Sequence, residues 1–408
     1  MQRAIWILLG LGLVVRTAIR DRGVIIDHIE FGRRLFAGAD LYAPYLDPKP
    51  LHPVYPPSFG LLTGPFALLP DTLARAGWGV LQVLALAWIG TYLARWLQRE
   101  LPELEHRVHA ILALSAVLAS RYILRDTHGG GGNLINCALV LLAIHRADQG
   151  RPLSSALALG FSLATKPTAV LFVPLLMLFG HVRAALGALG VAATLLTGTL
   201  LLNGHGLDPL ATWWHGTQAY GAMVDLFETP AGGFPPFSWM NQCVRCAIAR
   251  YLGTVPEAFT GLVPGYVPGL GLSATATTRI RHATTAVVLA LTFSAAFRDR
   301  SLSHRRVPTI GALFAASLLL SPISWKAHHV ALIPAMFLLA IAMVRGVRAA
   351  WVLAVAYALA CVLGEEIVGK SFKNIQQSCY FVTAGTFVLW GLCLSPHAFS
   401  FSKKEPVS

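Results

Sequence analysis

Apolar runs separated by short polar stretches recur along the whole chain. They predict helices over residues 4–18, 76–96, 108–124, 134–144, 153–164, 168–179, 184–202, 283–297, 310–320, 330–344, 349–363 and 378–394, about twelve crossings of a bilayer. Several runs are shorter than the roughly 20 residues that a straight membrane helix needs, so they extend into polar flanks, tilt, or belong to broken helices. No strand pattern, no soluble domain and no fixed-period repeat interrupts the series. Residues 1–408 therefore read as a single all-α membrane domain.

Two stretches decide the parity of the crossings. Residues 59–69 could be a span or a dip, and residues 153–179 could be one span or two broken at Lys166 and Pro167. With a dip in the first and two half-length spans in the second, the basic loops 95–107, 146–151, 181–183, 298–306 and 345–348 and the pair Lys403 and Lys404 all share one side, which the positive-inside rule makes the cytoplasm. The opposite face then collects residues 21–60, 125–133, Lys166, the long loop 203–278, residues 321–329 and 365–374. Polar residues gathered at the outer ends of spans suit chemistry at the membrane surface better than transport through the midplane.

Composition agrees. Of 408 residues, 55% are hydrophobic and 12% charged, with a mean hydropathy of +0.61, too apolar for a soluble protein of this length. The net charge of +13 sits at span ends, and no nucleic-acid-binding signature accompanies it, so no nucleic-acid partner is expected. Arg3 and the apolar run after it resemble a signal peptide, but there is no small-x-small cleavage pattern, and Arg16 and Arg20 follow; the run reads as an uncleaved first span. Among the six cysteines only Cys243 and Cys246 form a CxxC. Two packing residues are the simplest account, with a disulfide next if the loop faces an oxidising compartment.

The tract 21–60 carries five acidic and four basic residues and a Tyr-Pro-Pro turn. Too polar for hydrocarbon, it lies at a membrane face or lines a cavity. Asp21, Asp27 and Glu30 are its candidate acids, and Asp27 and Glu30 share a helix face three residues apart. The competing account has Asp27 capping the N-terminus of an amphipathic helix over residues 29–36. Basic residues on the same side are Arg33, Arg34, Arg121, Arg125, His128, Lys166, Arg245, Lys326, His328 and His329. Arg33 and Arg34 also fit a solvated helix face, whereas an ammonium at Lys166, between two apolar half-spans, is costly unless paired. No organic cofactor is expected; the paired histidines have no further ligand at obvious spacing, which leaves a divalent metal a lesser alternative. The loop 203–278 brings aromatic residues, Trp213, Trp214, Tyr220, Phe227, Phe234, Phe237 and Trp239, suited to sugar faces or to the lipid interface. Asn241 and Gln242 could hydrogen-bond a polar ligand, or Asn241 could cap a short helix.

Five fragments, in order, carry a family resemblance: FGRRLFAGADLY (31–42), YPPSFGLLTGPFALLP (55–70), NLINCALVLLAIHRADQGRPLSSALALGFSLATKPTAVLFVPLLML (133–178), FSWMNQCVRCAIARYL (237–252) and SPISWKAHHVALIPA (321–335). The chain resembles glycosyltransferase family 87 (the DUF2029 domain) of the GT-C superfamily, which includes polyprenyl-phosphate-mannose-dependent α-mannosyltransferases. It departs where family members often have Gly-Gln before the Asn of the third fragment; here residues 129–132 are all glycine.

The resemblance implies a GT-C helical bundle in the plasma membrane, with amphipathic helices in its external loops. It implies transfer of a hexose, mannose first, from a polyprenyl-phosphate donor to an envelope lipid or glycan acceptor at the outer leaflet, with inversion. Asp27 would be the general base, with Glu30 and Asp21 as rivals. Lys166, His328, His329, Arg125 and Lys326 would meet the donor phosphate, with Lys166, His328 and Arg125 expected to converge in one cavity. Tyr42, Tyr55, Asn133, Trp214, Asn241, Gln242 and Trp325 would contact sugar or acceptor. The alternatives are a lipid-linked sugar flippase and, more weakly, a structural subunit of an envelope assembly.

Overall fold

The computed structural model describes residues 2–20, 23–43, 55–222, 226–228 and 237–395. Asp21, Phe234, Lys403 and Lys404 lie outside the described residues. The chain runs through α1 (Gln2–Ala18), α2 (Val24–Phe36), α3 (Phe59–Ala67), α4 (Asp71–Glu100), α5 (Val108–Gly129), α6 (Asn133–Asp148), α7 (Pro152–Thr165), α8 (Phe172–Leu178), α9 (Val182–Asn203) and α10 (Asp208–Ala222). It continues through α11 (Val244–Leu252), α12 (Glu257–Thr260), α13 (Ala274–Arg298), α14 (Arg306–Leu320), α15 (Ile333–Val344), α16 (Arg348–Tyr357), α17 (Glu365–Val368), α18 (Lys370–Ser378) and α19 (Phe381–Leu394). Among the described residues there is no strand, only one isolated bridge between Gly253 and Leu272.

Every predicted apolar run falls on helix. Five helices are long and apolar enough to cross a membrane, Asp71–Glu100, Pro102–Gly129, Val182–Asn203, Ala274–Arg298 and Lys326–Val344, and a sixth is reached if the bent pair Arg348–Val362 and Glu365–Ser378 counts as one. Their surroundings differ. The apolar window of Lys326–Val344 is 78% buried against 17% for Ala274–Arg298, which makes the first the hub of the bundle and the second a peripheral helix presenting its side chains outward. The remaining predicted runs form shorter helices. Residues 59–67 make a nine-residue helix lying on α2, and the break at Lys166 is present because Pro167 disfavours helical backbone before it: Lys166 is extended, with φ −149° and ψ 90°.

Polar contacts join the helices in two separate layers. In one, Arg107 donates to the Val344 carbonyl at 3.1 Å, Ser303 to Glu100 at 2.9 Å, Arg305 to Asp299 at 2.9 Å and to the Cys393 carbonyl at 3.1 Å, while Arg306 and His181 both meet Asp148. These are the basic loops predicted to share a side. In the other layer, Thr17 donates to the Thr127 carbonyl at 3.2 Å, Ser58 to Ala164 at 2.5 Å, Asn203 to Ala39 at 2.9 Å and Gln242 to Gln377 at 2.9 Å.

The expected long loop 203–278 is largely structured. Beyond α10 and α11 it builds a second small core from Leu226, Phe237, Cys243, Cys246, Ala249, Val255, Val263 and Tyr380, in which both CxxC cysteines are buried free thiols.

Close helix packing rests on small residues. Along α7 and α9, the most extensive helix pair, a Cβ at Gly160 would lie 2.6 Å from the Val191 Cβ and 2.8 Å from the Ala188 carbonyl. Gly160→Val should therefore force the pair apart and cost about 1–3 kcal/mol. Gly190→Ala, where an added Cβ meets nothing within 4 Å, should be neutral or slightly stabilising. Thermal unfolding of the two variants in detergent checks this contrast.

Candidate active site

The helix α2 is amphipathic, burying Ile25, His28, Ile29, Phe31, Gly32 and Leu35. It begins five residues before the predicted start, at Val24 after Gly23 (φ 109°). Asp27 thus lies inside its first turn, so the reading of Asp27 as N-cap is corrected. Gly32 lets α2 rest on α3, because a Cβ there would come within 2.9 Å of the Thr63–Gly64 backbone. Arg33 bonds Asp71 at 2.5 Å and Arg34 bonds Glu30 at 3.2 Å. Glu30 is therefore held by arginine, and Arg33 and Arg34 are both engaged by carboxylates of the protein.

On the buried side, the His28 ring packs edge-on against Tyr55 (5.0 Å) and Phe59 (4.7 Å) and lies 5.7 Å from Trp78. Burial first, and then the charge of Lys166, lower its pKa to about 3, so this imidazole is neutral. Tyr55 stacks on Phe59 at 4.2 Å and its backbone carbonyl accepts from the Tyr42 hydroxyl at 2.7 Å. Its phenol is held protonated by burial and then by the charges of Asp126 and Asp27. The charges of both Asp27 and Asp126 thus reach Tyr55.

The all-glycine run is built into the same place. Gly130 (φ 73°) ends α5 and Gly132 (φ 67°) opens α6, both left-handed, while a Cβ at Gly131 would fall 2.4 Å from an Asp126 oxygen. Asp126 is fully buried. Its carboxylate accepts from the backbone of Asn133 (3.2 Å) and Leu134 (2.8 Å) and from the Asn133 amide (2.6 Å), so an anion sits on the positive end of α6. The Asn133 side-chain oxygen in turn accepts from the Lys166 ammonium. Asp126, Asn133 and Lys166 form one chain of contacts joining the ends of α5, α6 and α7, and Gln82 of α4 donates to the Asp126 carbonyl at 3.1 Å.

Asn133 and Lys166 line a cavity of about 40 Å³ with Asn136, Ser317, Ser321 and His328. His328 belongs to the tight 3-10 turn Lys326–Leu332 that leads into α15. Its Nδ1 accepts from the Trp325 backbone N–H at 3.2 Å, which leaves the proton of the neutral ring on Nε2. His329 is the reverse: its Nδ1 lies 3.1 Å from the Trp325 carbonyl and must donate, and its ring lies 5.5 Å from Tyr122. Trp325 fixes both imidazoles through its backbone.

The other predicted residues are placed elsewhere. Arg125 and Lys326 do not line this cavity; the charges that bear on Lys326 include those of Arg121, Lys373 and Arg125. Asn241 does not cap α11, whose N-cap is Cys243; its side chain donates to Pro322 at 3.0 Å and accepts from Ser324 at 2.7 Å, bracing the segment ahead of Trp325. Gln242 donates to the Trp239 and Gln377 carbonyls. Trp214 is exposed on α10. A larger cavity of about 320 Å³, between α11 and α13, is lined by Arg245, Arg281, Thr277 and Ser273.

The sequence model of glycosyltransferase family 87 matches residues 54–322. The chain belongs to glycosyltransferase family 87. It is accordingly a membrane glycosyltransferase. Comparison with curated proteins and with solved structures gives no match. The matched segment holds Tyr55, Asn133, Lys166, Asn241 and Gln242, whereas Asp27 and the 3-10 turn with His328 flank it on either side. In this glycosyltransferase the two flanks are brought to the matched segment by α2 packing on α3 and by His328 facing Lys166.

Asp126 and Gln82 were not singled out by sequence reasoning. The signal available for Asp126 was an acid just ahead of a glycine run and an Asn, the spacing of a cap reaching across a tight turn. Asp126→Asn should leave Lys166 without its counter-charge and destabilise the protein by about 3–5 kcal/mol. The double variant with Lys166→Met should recover at least ~1 kcal/mol of that loss, because the two residues share one network. A thermal-stability double-mutant cycle measures the coupling.

Proposed function

We propose that this glycosyltransferase moves a hexose, mannose first, from a polyprenyl-phosphate donor to an envelope lipid or glycan acceptor at the outer leaflet of the plasma membrane. The observation that carries the reading is the gathering of Asp27 and Tyr55, Asn133 and Lys166, and His328 in one neighbourhood, in the polar layer that excludes the basic loops. A carboxylate near a protonated phenol, with an ammonium and an imidazole lining a cavity of the same polar layer, suits a reaction that needs a proton acceptor at one end and anion stabilisation at the other.

In this scheme the acceptor hydroxyl gives its proton to Asp27 as its oxygen attacks the anomeric carbon from the face opposite the phosphate. The bond from that carbon to the phosphate oxygen breaks, the configuration inverts, and polyprenyl phosphate leaves with the electron pair. Lys166, with His328 beside it in the same cavity, meets the charge that develops on the leaving phosphate. Tyr55 and Asn133 border the sugar, and the aromatic wall of Phe59 and Trp78 keeps His28 neutral and water away. No step calls on a cofactor.

The two polar layers support about twelve crossings, with both termini and the loop 298–306 in the cytoplasm. On this topology a cysteine placed at Leu302 stays unlabelled by impermeant maleimide in intact cells, while one near α2 is labelled. Labelling at position 302 from outside would overturn both the topology and the site.

Asp27→Asn should lower transfer by about 100- to 10,000-fold while the protein stays folded and binds donor, the effect expected of removing a general base. The assay uses purified protein, labelled polyprenyl-phosphate-mannose and an envelope lipid extract. Turnover above about a tenth of wild type for Asp27→Asn, with Asp21→Asn inactive, would move the base to Asp21. Activity in both variants would favour a flippase.

A further inference from the structure

The 3-10 turn Lys326–Leu332 presents two faces. Residues three apart eclipse in such a turn, so Lys326 and His329 point together toward α5, where His329 meets Tyr122, while His328 points away toward Lys166. Lys326 is 6% exposed, and its ammonium has no hydrogen-bond partner among the described residues. Arg121 is 8% exposed; one of its nitrogens donates to the Cys361 carbonyl at 3.0 Å and Nη2 has no partner among the described residues. The charges that bear on Lys326 are those of Arg121, Lys373 and Arg125. Two carboxylates are near: Glu365 is taken by Lys373, and Glu366 faces Arg121.

Two buried basic side chains on packed elements, each with an unused donor, repel one another when both are charged and water cannot screen them. An anion with several acceptor oxygens removes that penalty, and a phosphate matches a guanidinium and an ammonium together. The surroundings say what carries it. Arg121 lies in the last turns of the span Pro102–Gly129 and Lys326 opens the span Lys326–Val344, the depth at which headgroups lie. On the segments that carry Cys361, Glu366 and Lys373, Leu359, Ile367, Phe372 and Ile375 expose apolar side chains, a surface suited to acyl chains rather than to a soluble ion.

We propose that Arg121, Arg125, Lys326 and Lys373 form a second anion site, which holds the phosphate of a membrane lipid and is separate from the cavity of Asn133, Lys166 and His328. The 3-10 turn is the partition, with the donor's phosphate on its His328 side and the second lipid on its Lys326 side. Only the word "second" rests on the proposed function; the binding itself does not.

Native mass spectrometry of the full-length protein released from detergent tests it, with phosphatidic acid as probe and diacylglycerol, which differs only by the phosphate, as control. Wild type should retain phosphatidic acid over diacylglycerol. Lys326→Met and Arg121→Gln should each weaken that retention at least about tenfold, and Lys166→Met should leave it intact. Because Lys326→Met removes an uncompensated charge, it should melt no lower than wild type, so its loss of lipid cannot be ascribed to unfolding. Unchanged retention in Lys326→Met overturns the site. So does inorganic phosphate binding where phosphatidic acid does not. Loss of polyprenyl phosphate with Lys326→Met but not with Lys166→Met also overturns it, since this would then be the donor's own site.

Discussion

A buried carboxylate that cannot be left alone organises this protein. Asp126 has no exposure to solvent, so its charge must be met from within, and three donors at the start of α6 together with the nearby ammonium of Lys166 meet it. Because those partners belong to different helices, satisfying one charge fixes the ends of α5, α6 and α7 relative to one another. Gln82 adds α4 to the set. An apolar contact could not define the arrangement so narrowly, since apolar side chains repack with little loss whereas a half-satisfied buried charge is expensive.

The position of α2 follows from that anchor. The glycine run that lets Asp126 reach over to α6 also lets α2 approach, for a Cβ at Gly130 would come within 2.4 Å of Ile25. Gly32 and Gly64 then close α2 onto α3, and Tyr55 and Phe59 are left packed on His28. Asp27, in the first turn of α2, is carried to its place with this stack. A base built into a packed helix is held in a fixed position relative to the bundle, which suits a group that must act in each cycle.

Much of this was legible in the sequence, for identifiable reasons. Apolar runs located every long helix because membrane and bundle interior both demand apolar side chains, and the Lys166–Pro167 pair announced its break because proline restricts the residue before it. Charge at the run ends separated the two polar layers. What stayed hidden depends on three-dimensional closure. Asp126 looked like one more residue of a polar loop, since nothing local reveals that a side chain will cap a different helix and oppose a lysine forty residues on. Asn241 read as a helix cap, yet Cys243 takes that position and the Asn241 amide braces residues 322–324 instead. The start of α2 was misplaced because Gly23, a poor helix residue, serves as its boundary.

The separation of Lys326 from His328 illustrates the same limit at finer scale. In sequence, Lys326, His328 and His329 form one basic cluster, and a single role for all three is the natural reading. A 3-10 turn rotates successive residues by a third of a circle, so neighbours in sequence face different walls: Lys326 and His329 meet α5, and His328 meets the cavity under Lys166. Trp325 enforces the division, because one backbone group accepts from His329 and the other donates to His328. The two imidazoles are thereby held in different orientations, and the His328 ring also donates to the Ile323 backbone carbonyl. Lys166 is then the cation on the cavity side, and the amine of Lys326 is kept on the other side of the partition.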